Sequence, residues 1–461
     1  MADSWDAGRG SGLATALRVG FARTRLEIGA NEVITVGLMV RAASSALGLL
    51  IVACSLTQNI GSYSSGGDAG LVDSSGCAPD QKTCDGRCVA LTEPAYGCAA
   101  VACDACPSPA RASAACDSTG ACGVGTCNTG FQNCNNKSDD GCEAEVAVDT
   151  LHCGKCNNSC DGSSCVAEKC QPLVIAQGQS SPGEIAMDTN QIYWTNYGSG
   201  TIMRSSKDGK TSVVVADNQA SVWGVAVSGN QLFWANAAST GSAWKGAIDG
   251  SIAAEKLYSS TGKMRGVASD NDYLFIAHYD SNGVVRLKLT DKTTALFPAQ
   301  KPNDIALDAD SAYWSNEDGS LVKVSRTAAT GTTPEQLLGS LSRPRGVAVD
   351  DTYAYVIAAG NVNGADGALY RVPKNGGVAV ELASSLHNPR ELAVDKTNVY
   401  FTCYGDGTVQ RMSKESAAGG PREVLATGQQ FPLGIAVDDR YVFWINFASG
   451  SQGTVVRVIK P

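Results

Sequence analysis

Seven segments of this chain align without a gap over thirteen residues, and that repetition constrains everything that follows Cys170. They begin at Glu184, Gly224, Gly266, Asp304, Gly346, Glu391 and Gly434, spaced 40, 42, 38, 42, 45 and 43 residues apart. Two positions after each start stands an alanine: Ala186, Ala226, Ala268, Ala306, Ala348, Ala393 or Ala436. Four after it comes Asp188, Ser228, Asp270, Asp308, Asp350, Asp395 or Asp438, and nine after it an aromatic residue: Tyr193, Phe233, Phe275, Tyr313, Tyr355, Tyr400 or Phe443. Chance does not produce such a register. Each copy reads as a strand, a turn opened by the aspartate, an aromatic strand, a Gly-containing turn and a third strand such as Gly200–Arg204. A fourth, such as Glu423–Ala426, leads into the proline before the next copy.

Four short strands per roughly 40-residue unit mark a β-propeller blade, so residues 171–461 are expected to form an all-β, seven-bladed propeller. The alanine column fits a crowded contact where blades converge toward the axis. The last copy ends at Gly453–Pro461, its third strand, with nothing left for a fourth. Pro172–Pro182, ahead of the first copy, matches Glu423–Pro432 and should supply the missing strand, closing the ring. The aspartates are spread over separate blades, which favours turn formation over a shared metal site.

The aromatic strands read Tyr193-Trp194-Thr195-Asn196, Phe233-Trp234-Ala235-Asn236, Tyr313-Trp314-Ser315-Asn316 and Phe443-Trp444-Ile445-Asn446. With the preceding I-A-V-D strands, these copies resemble NHL-type, YWTD-type and TolB-like propellers over about 63% of the chain. Asn replaces the final Asp of Y-W-T-D, and copies three, five and six carry His278, Ala358 and Cys403 there. The resemblance is specific for fold and weak for function. Related propellers include gluconolactonase-like hydrolases, whose metal is held by Glu, Asn and Asp, and a streptogramin-lyase type that uses histidine. The first resemblance would imply a Glu184/Asn303/Asp304/Glu391 metal set; the second would have only His278 and His387 to use. His278 and Cys403 sit in the motif slot and read as structural, His387 as an exposed loop residue. No nucleophile elbow or phosphate-binding glycine loop is present. The reading assigns no catalytic residue, no metal and no cofactor other than lipid.

One pair of columns departs from its own pattern. The residue before each start is Gly183, Trp223, Arg265, Asn303, Arg345, Arg390 or Leu433, and the start itself is glycine except at Glu184, Asp304 and Glu391. Repeat geometry places all of them on one face around the channel. Glu184, Trp223, Arg265, Asn303, Asp304, Arg345, Arg390 and Glu391 thus form a candidate rim for a peptide, glycan or other polar ligand. The competing reading is a solvated rim whose arginines and carboxylates pair with one another.

Cysteine sets the character of the preceding segment. Sixteen of the 18 cysteines fall within 77–170: Cys77, Cys84, Cys88, Cys98, Cys103, Cys106, Cys116, Cys122, Cys127, Cys134, Cys142, Cys153, Cys156, Cys160, Cys165 and Cys170. So dense a set with few large apolar neighbours predicts a disulfide-rich module, its connectivity not readable from spacing. Two CxxC pairs, Cys103/Cys106 and Cys153/Cys156, keep zinc or redox chemistry as alternatives. Residues 88–106 and 141–160 look like divergent copies of one unit and resemble Cys-rich repeats of Gram-negative envelope proteins. The 36 Lys+Arg against 45 Asp+Glu give a net charge of −9, with no basic stripe for nucleic acid.

Residues 42–53 form a twelve-residue apolar run after Arg41, shorter than the about 20 residues a spanning helix needs. It suits the h-region of an export signal. Its end, Ile51-Val52-Ala53-Cys54, resembles the bacterial lipobox, which implies lipidation of Cys54 after cleavage. Met39-Val40-Arg41 makes a compact start for that signal, and residues 1–38 read as an upstream extension. The expected order is a signal region (1–53), a lipid-anchored Ser/Gly linker (54–76), the cysteine module (77–170) and the propeller (171–461). The expected role is a binding module of the cell envelope, an outer-membrane lipoprotein; a propeller hydrolase or lyase and a purely structural component are the alternatives. Anchoring is tested by mass spectrometry and detergent partitioning: the mature chain should begin at an acylated Cys54, and Cys54→Ala should leave it unprocessed or soluble. An intact Met1 N-terminus without acyl mass would refute it.

Overall fold

The computed structural model describes residues 76–138 and 140–460, within a compact unit spanning 69–461. The signal region, Cys54 and nearly all of the linker lie outside the described residues. Seven four-stranded antiparallel sheets follow one another around an axis. Blade 1 is built from Pro182–Met187, Gln191–Asn196, Thr201–Ser206 and Ser212–Ala216, inner strand first. Inner strands of successive blades touch, and the first touches the last, so the ring is closed. Blade 7 takes its outer strand from the other end of the propeller: Leu173–Gln179 pairs with Gly453–Ile459, matching Val455 to Ala176 and Gly453 to Gln179. The expected closure is therefore present.

The aromatic strands are the buried heart of each blade. Trp194, Trp234, Trp314 and Trp444 are fully buried, with Tyr193, Phe233, Phe275 and Phe443 beside them. Their polar atoms explain the Asn that replaces Asp. The Gln179 side-chain carbonyl accepts from Trp194 Nε1 at 2.8 Å and from Asn196 Nδ2 at 3.0 Å. Gln219 serves Trp234 and Asn236 in the same way, and Gln429 serves Trp444 and Asn446. An acceptor carbonyl needs a donor, which an amide supplies and a carboxylate does not. In blade 4 the Gln position is Ala299, and Trp314 Nε1 has no partner among the described residues.

The turn aspartate does more than cap its turn. Asp308 Oδ1 accepts from the Asp310 and Ser311 N–H groups, while Oδ2 accepts from Tyr313 OH and from Lys374 of blade 5, both at 2.7 Å. Asp350–Lys414, Asp395–Lys460 and Asp438–Lys207 repeat the bridge at 2.7, 2.6 and 2.8 Å, the last joining blade 7 to blade 1. Arg326 plays the lysine's part for Asp270. Six of the seven alanines of the invariant column pack against clusters that join two blades, as Ala186 does against the cluster holding Val222 and Trp234 of blade 2.

The cysteine segment is fully disulfide-bonded, and its order reveals a duplication. In the first half Cys77–Cys88, Cys84–Cys103, Cys98–Cys116 and Cys106–Cys122 are joined. In the second, Cys127–Cys142, Cys134–Cys156, Cys153–Cys165 and Cys160–Cys170 are joined. Both halves follow the pairing 1–3, 2–5, 4–7, 6–8, so each is one copy of an eight-cysteine unit. Each CxxC sends its two sulfurs to different partners. The sulfur clusters around Cys98 and Cys153 are made of bonded disulfides. The second unit docks on blade 7: Tyr441 OH and Arg440 meet the Asp161 carboxylate, and Arg457 Nη2 donates to the Asp161 carbonyl at 2.8 Å.

Deleting residues 171–178 should expose the edge of Gly453–Ile459 and the apolar surface around Val455, giving a propeller that aggregates or melts well below the parent. Size-exclusion chromatography with a thermal melt reads this; a monomer with the parental Tm would refute the closure's importance.

Candidate binding site at the channel mouth

The inner strands leave little room at the axis, and this decides which residues show there. A Cβ on Gly224 would collide with the Arg265 carbonyl, and one on Gly346 with the Glu391 carboxylate. In all blades but the third, the residue just before the inner strand is held in the left-handed region, at Ser181, Ser221, Lys301, Arg343, Asn388 and Phe431. Six of these seven slots thus carry a conformation that costs non-glycine residues of order 1–3 kcal/mol. Hydroxyls of the aromatic strand tie the rim to the neighbouring blade: Thr195 Oγ1 donates to the Trp223 carbonyl at 2.7 Å, and Ser315 Oγ to that of Arg345 at 2.6 Å.

On this scaffold the expected rim residues divide into two layers. The outer layer is cationic and aromatic. Arg265 and Arg345 each donate to Asn303 Oδ1, at 2.6 and 2.9 Å, and Arg345 also pairs with Glu317 at 2.9 Å. Arg265 lies over the Tyr279 ring at 3.6 Å. Arg390 lies over Tyr404, which stacks on Phe431 at 4.8 Å. Unlike its neighbours, Arg390 has no hydrogen-bond or ion-pair partner among the described residues, and its Nε is buried. Burial, then the charges of Arg345 and Arg343, lower its pKa to about 10. Across the channel mouth, Trp223 meets Tyr197 edge-on at 6.0 Å.

The inner layer is acidic. Glu184, Asp304 and Glu391 keep some solvent contact through the channel, yet protein encircles them. Burial raises the Glu184 carboxyl to about 8, reinforced by the charge of Asp304. Asp304 rises to about 6 through burial, although the Val347 and Ile305 N–H groups donate to it at 2.8 Å. Glu391 is pushed well above the carboxylate range by burial, then by Asp304 and Glu184, against the pull of Arg345 and Arg390. No ion pair joins this layer to the arginines among the described residues. Nor do its oxygens converge into one coordination sphere, and Asn303 turns to the arginines instead.

The remaining candidates are elsewhere. His278 is buried, its Nε2 2.9 Å from the Thr261 carbonyl and from Ser281 Oγ. His387 is exposed on its loop. Burial raises the Cys403 thiol to about 12. Sequence reasoning missed Tyr279, Glu317 and Tyr404, which share one repeat position thirteen after the start, a single residue past the aligned window. It also missed Arg343, beside the left-handed turn.

Solved structures share the propeller fold. A streptogramin B lyase structure matches with a TM-score of 0.52 and 15% identity, covering 63% of this chain and 97% of that one. Kuenenia stuttgartiensis hydrazine synthase matches with a TM-score of 0.50 and 14% identity, covering 61% and 96%. At these identities the likeness shows the fold and nothing of the chemistry. No protein-family model matches the chain, and no curated protein matches it by sequence.

The acidic layer has a measurable signature. A carboxyl whose folded pKa exceeds its unfolded value stabilises the fold at low pH, and the contribution is lost as pH rises through the folded pKa. For Glu184 that window runs from its ordinary 4.5 to about 8. Glu184→Gln and Glu391→Gln should therefore raise Tm over the parent at pH 8 and leave it nearly unchanged at pH 4.5. Equal effects at both values would refute protonated carboxyls in the channel.

Proposed function

We propose that this protein is a lipid-anchored envelope binding protein whose channel mouth takes an anionic oligosaccharide. The observation that carries the reading is Arg390, a guanidinium with a buried Nε, laid on an aromatic ring and lacking an acceptor of its own. An unsatisfied charged donor in such a place is costly unless a ligand supplies the acceptor. Arg343 and Arg345 lie close enough to act on its charge, Arg265 lies near Arg345, and burial raises the Glu184 and Glu391 carboxyls, which lessens the negative charge below. Partly exposed Tyr197 and Phe431 offer ring faces against which the C–H face of a sugar packs.

The cysteine module supports display. Its Asp161 docks beside the turn aspartate of blade 7, at the end of the blade opposite the arginines. The two propeller histidines give a lyase or hydrolase reading no added support, since His278 is tied to Thr261 and Ser281.

Calorimetry with tri-galacturonate against uncharged maltotriose tests the proposal. The acidic sugar should bind and the neutral one not. Arg390→Leu should weaken binding at least tenfold while Tm moves little, because that guanidinium makes no internal hydrogen bond. Absence of tri-galacturonate binding, or equal binding by the variant, would overturn the reading; binding of an acidic peptide in its place would redirect it.

A further inference from the structure

The bridge between blades fails at two of its seven joints, in different ways. Between blades 2 and 3 the aspartate position is Ser228 and the cation position is Leu289, so charge and countercharge are lost together. Between blades 1 and 2 only the cation is lost. Ile248 stands where the other blades place Lys207, Arg326, Lys374, Lys414 or Lys460, as its N–H bond to Asn230 shows by matching those of Arg326 to Asp310 and Lys374 to Thr352. Asp188 keeps its bonds to Tyr193 OH and to the Asn190 and Gln191 N–H groups, all at 2.7 Å, but no cation pairs with it among the described residues. Lys207, whose charge it feels, is committed to Asp438.

A second group is unmatched at the same joint. Opposite the invariant aromatic, the third strand of every blade carries a cation: Arg204, Lys245, Arg286, Lys323, Arg371, Arg411 and Arg457. Arg286 donates to the Arg326 carbonyl of the next blade, Lys323 to that of Lys374 and Arg371 to that of Lys414. Arg204 should reach the Ile248 carbonyl in the same manner. Instead it makes no hydrogen bond or ion pair among the described residues. Between the two unmatched groups lies a cavity of about 710 Å³, lined by Asp188, Arg204, Lys245, Ile248, Asp249 and Glu255 among others. Lys245 is held by Glu255 at 3.0 Å, and Asp249 accepts from the Ser251 N–H at 2.9 Å. Ile252, largely exposed, stands at its edge. The volume falls in the range of small-molecule sites.

We propose that this cleft binds a small zwitterion bearing a free ammonium and a free carboxylate, an α-amino acid or a dipeptide with an apolar side chain. Its ammonium takes the lysine's place at Asp188 Oδ2, and its carboxylate gives Arg204 the acceptor it receives from a carbonyl elsewhere in the ring. Ile248 and Ile252 cover the side chain. This site lies at the opposite end of the blades from the arginine mouth and does not depend on it.

The test is calorimetry on the full-length chain with L-leucine and glycyl-L-leucine, alongside their N-acetylated and C-amidated forms. At least one zwitterion should bind, and blocking either end should weaken it tenfold or more. Ile248→Lys should complete the Asp188 bridge, raise Tm and abolish binding; Asp188→Asn should abolish binding without that gain. The proposal is overturned if neither zwitterion binds, if the blocked forms bind equally, or if Ile248→Lys binds like the parent.

Discussion

The aspartate that ends the inner strand in blades 4, 5 and 6 joins three levels of this structure. One oxygen holds the tight turn through two backbone N–H groups, and the other gathers a tyrosine hydroxyl from its own blade and an ammonium from the next. The ion pairs are mostly buried, with side-chain exposures of 13% and 18% for Lys374 and Asp308. At such exposure removing one partner leaves a charge without compensation, which is far costlier than losing a surface pair. At these joints the tyrosine, lysine and turn become interdependent, so one blade is tied firmly to the next. Where the aspartate stays but its cation is lost, between blades 1 and 2, the cleft appears.

Most of the architecture could be read from the chain because the repeat is exact in length where it matters. The thirteen-residue window spans the inner strand, the turn and the aromatic strand without insertion, so the alanine, aspartate and aromatic columns fall into register by inspection. Closure was legible for the same reason, since Leu173–Gln179 carries the pattern of an outer strand without a blade of its own. The lysine bridge was not. Lys374 lies 66 residues from Asp308, beyond loops of variable length, and only the neighbouring blade's geometry brings them together. The Gln that satisfies the Trp–Asn pair of blades 1, 2 and 7 sits 15 residues upstream, across the loop entering the blade, and was hidden likewise.

At the channel mouth, the eight rim positions were legible as a break in pattern, but their division into layers was not. Arg265, Asn303 and Arg345 form an interlocked set with Glu317, whereas the three carboxylates point inward, where glycines of adjacent blades leave space. Sequence gives residue types at a position; whether a carboxyl there is charged depends on how tightly the ring closes around it. The outcome is a cluster of arginines on one face of a protein whose net charge is −9.

The docking of the second cysteine unit bears on mechanics. A pull arriving along the chain from the N-terminal side cannot lengthen residues 77–170 much, because overlapping disulfides lock each loop. It passes to Asp161, seated on Arg440, Tyr441 and Arg457, before it reaches Leu173–Gln179. Without that seat, the load would fall on one end of the closing strand and break its hydrogen bonds singly, like a zip. With it, the force is borne first by a charged clamp on the body of blade 7, and the ring's only non-consecutive joint is relieved of peeling.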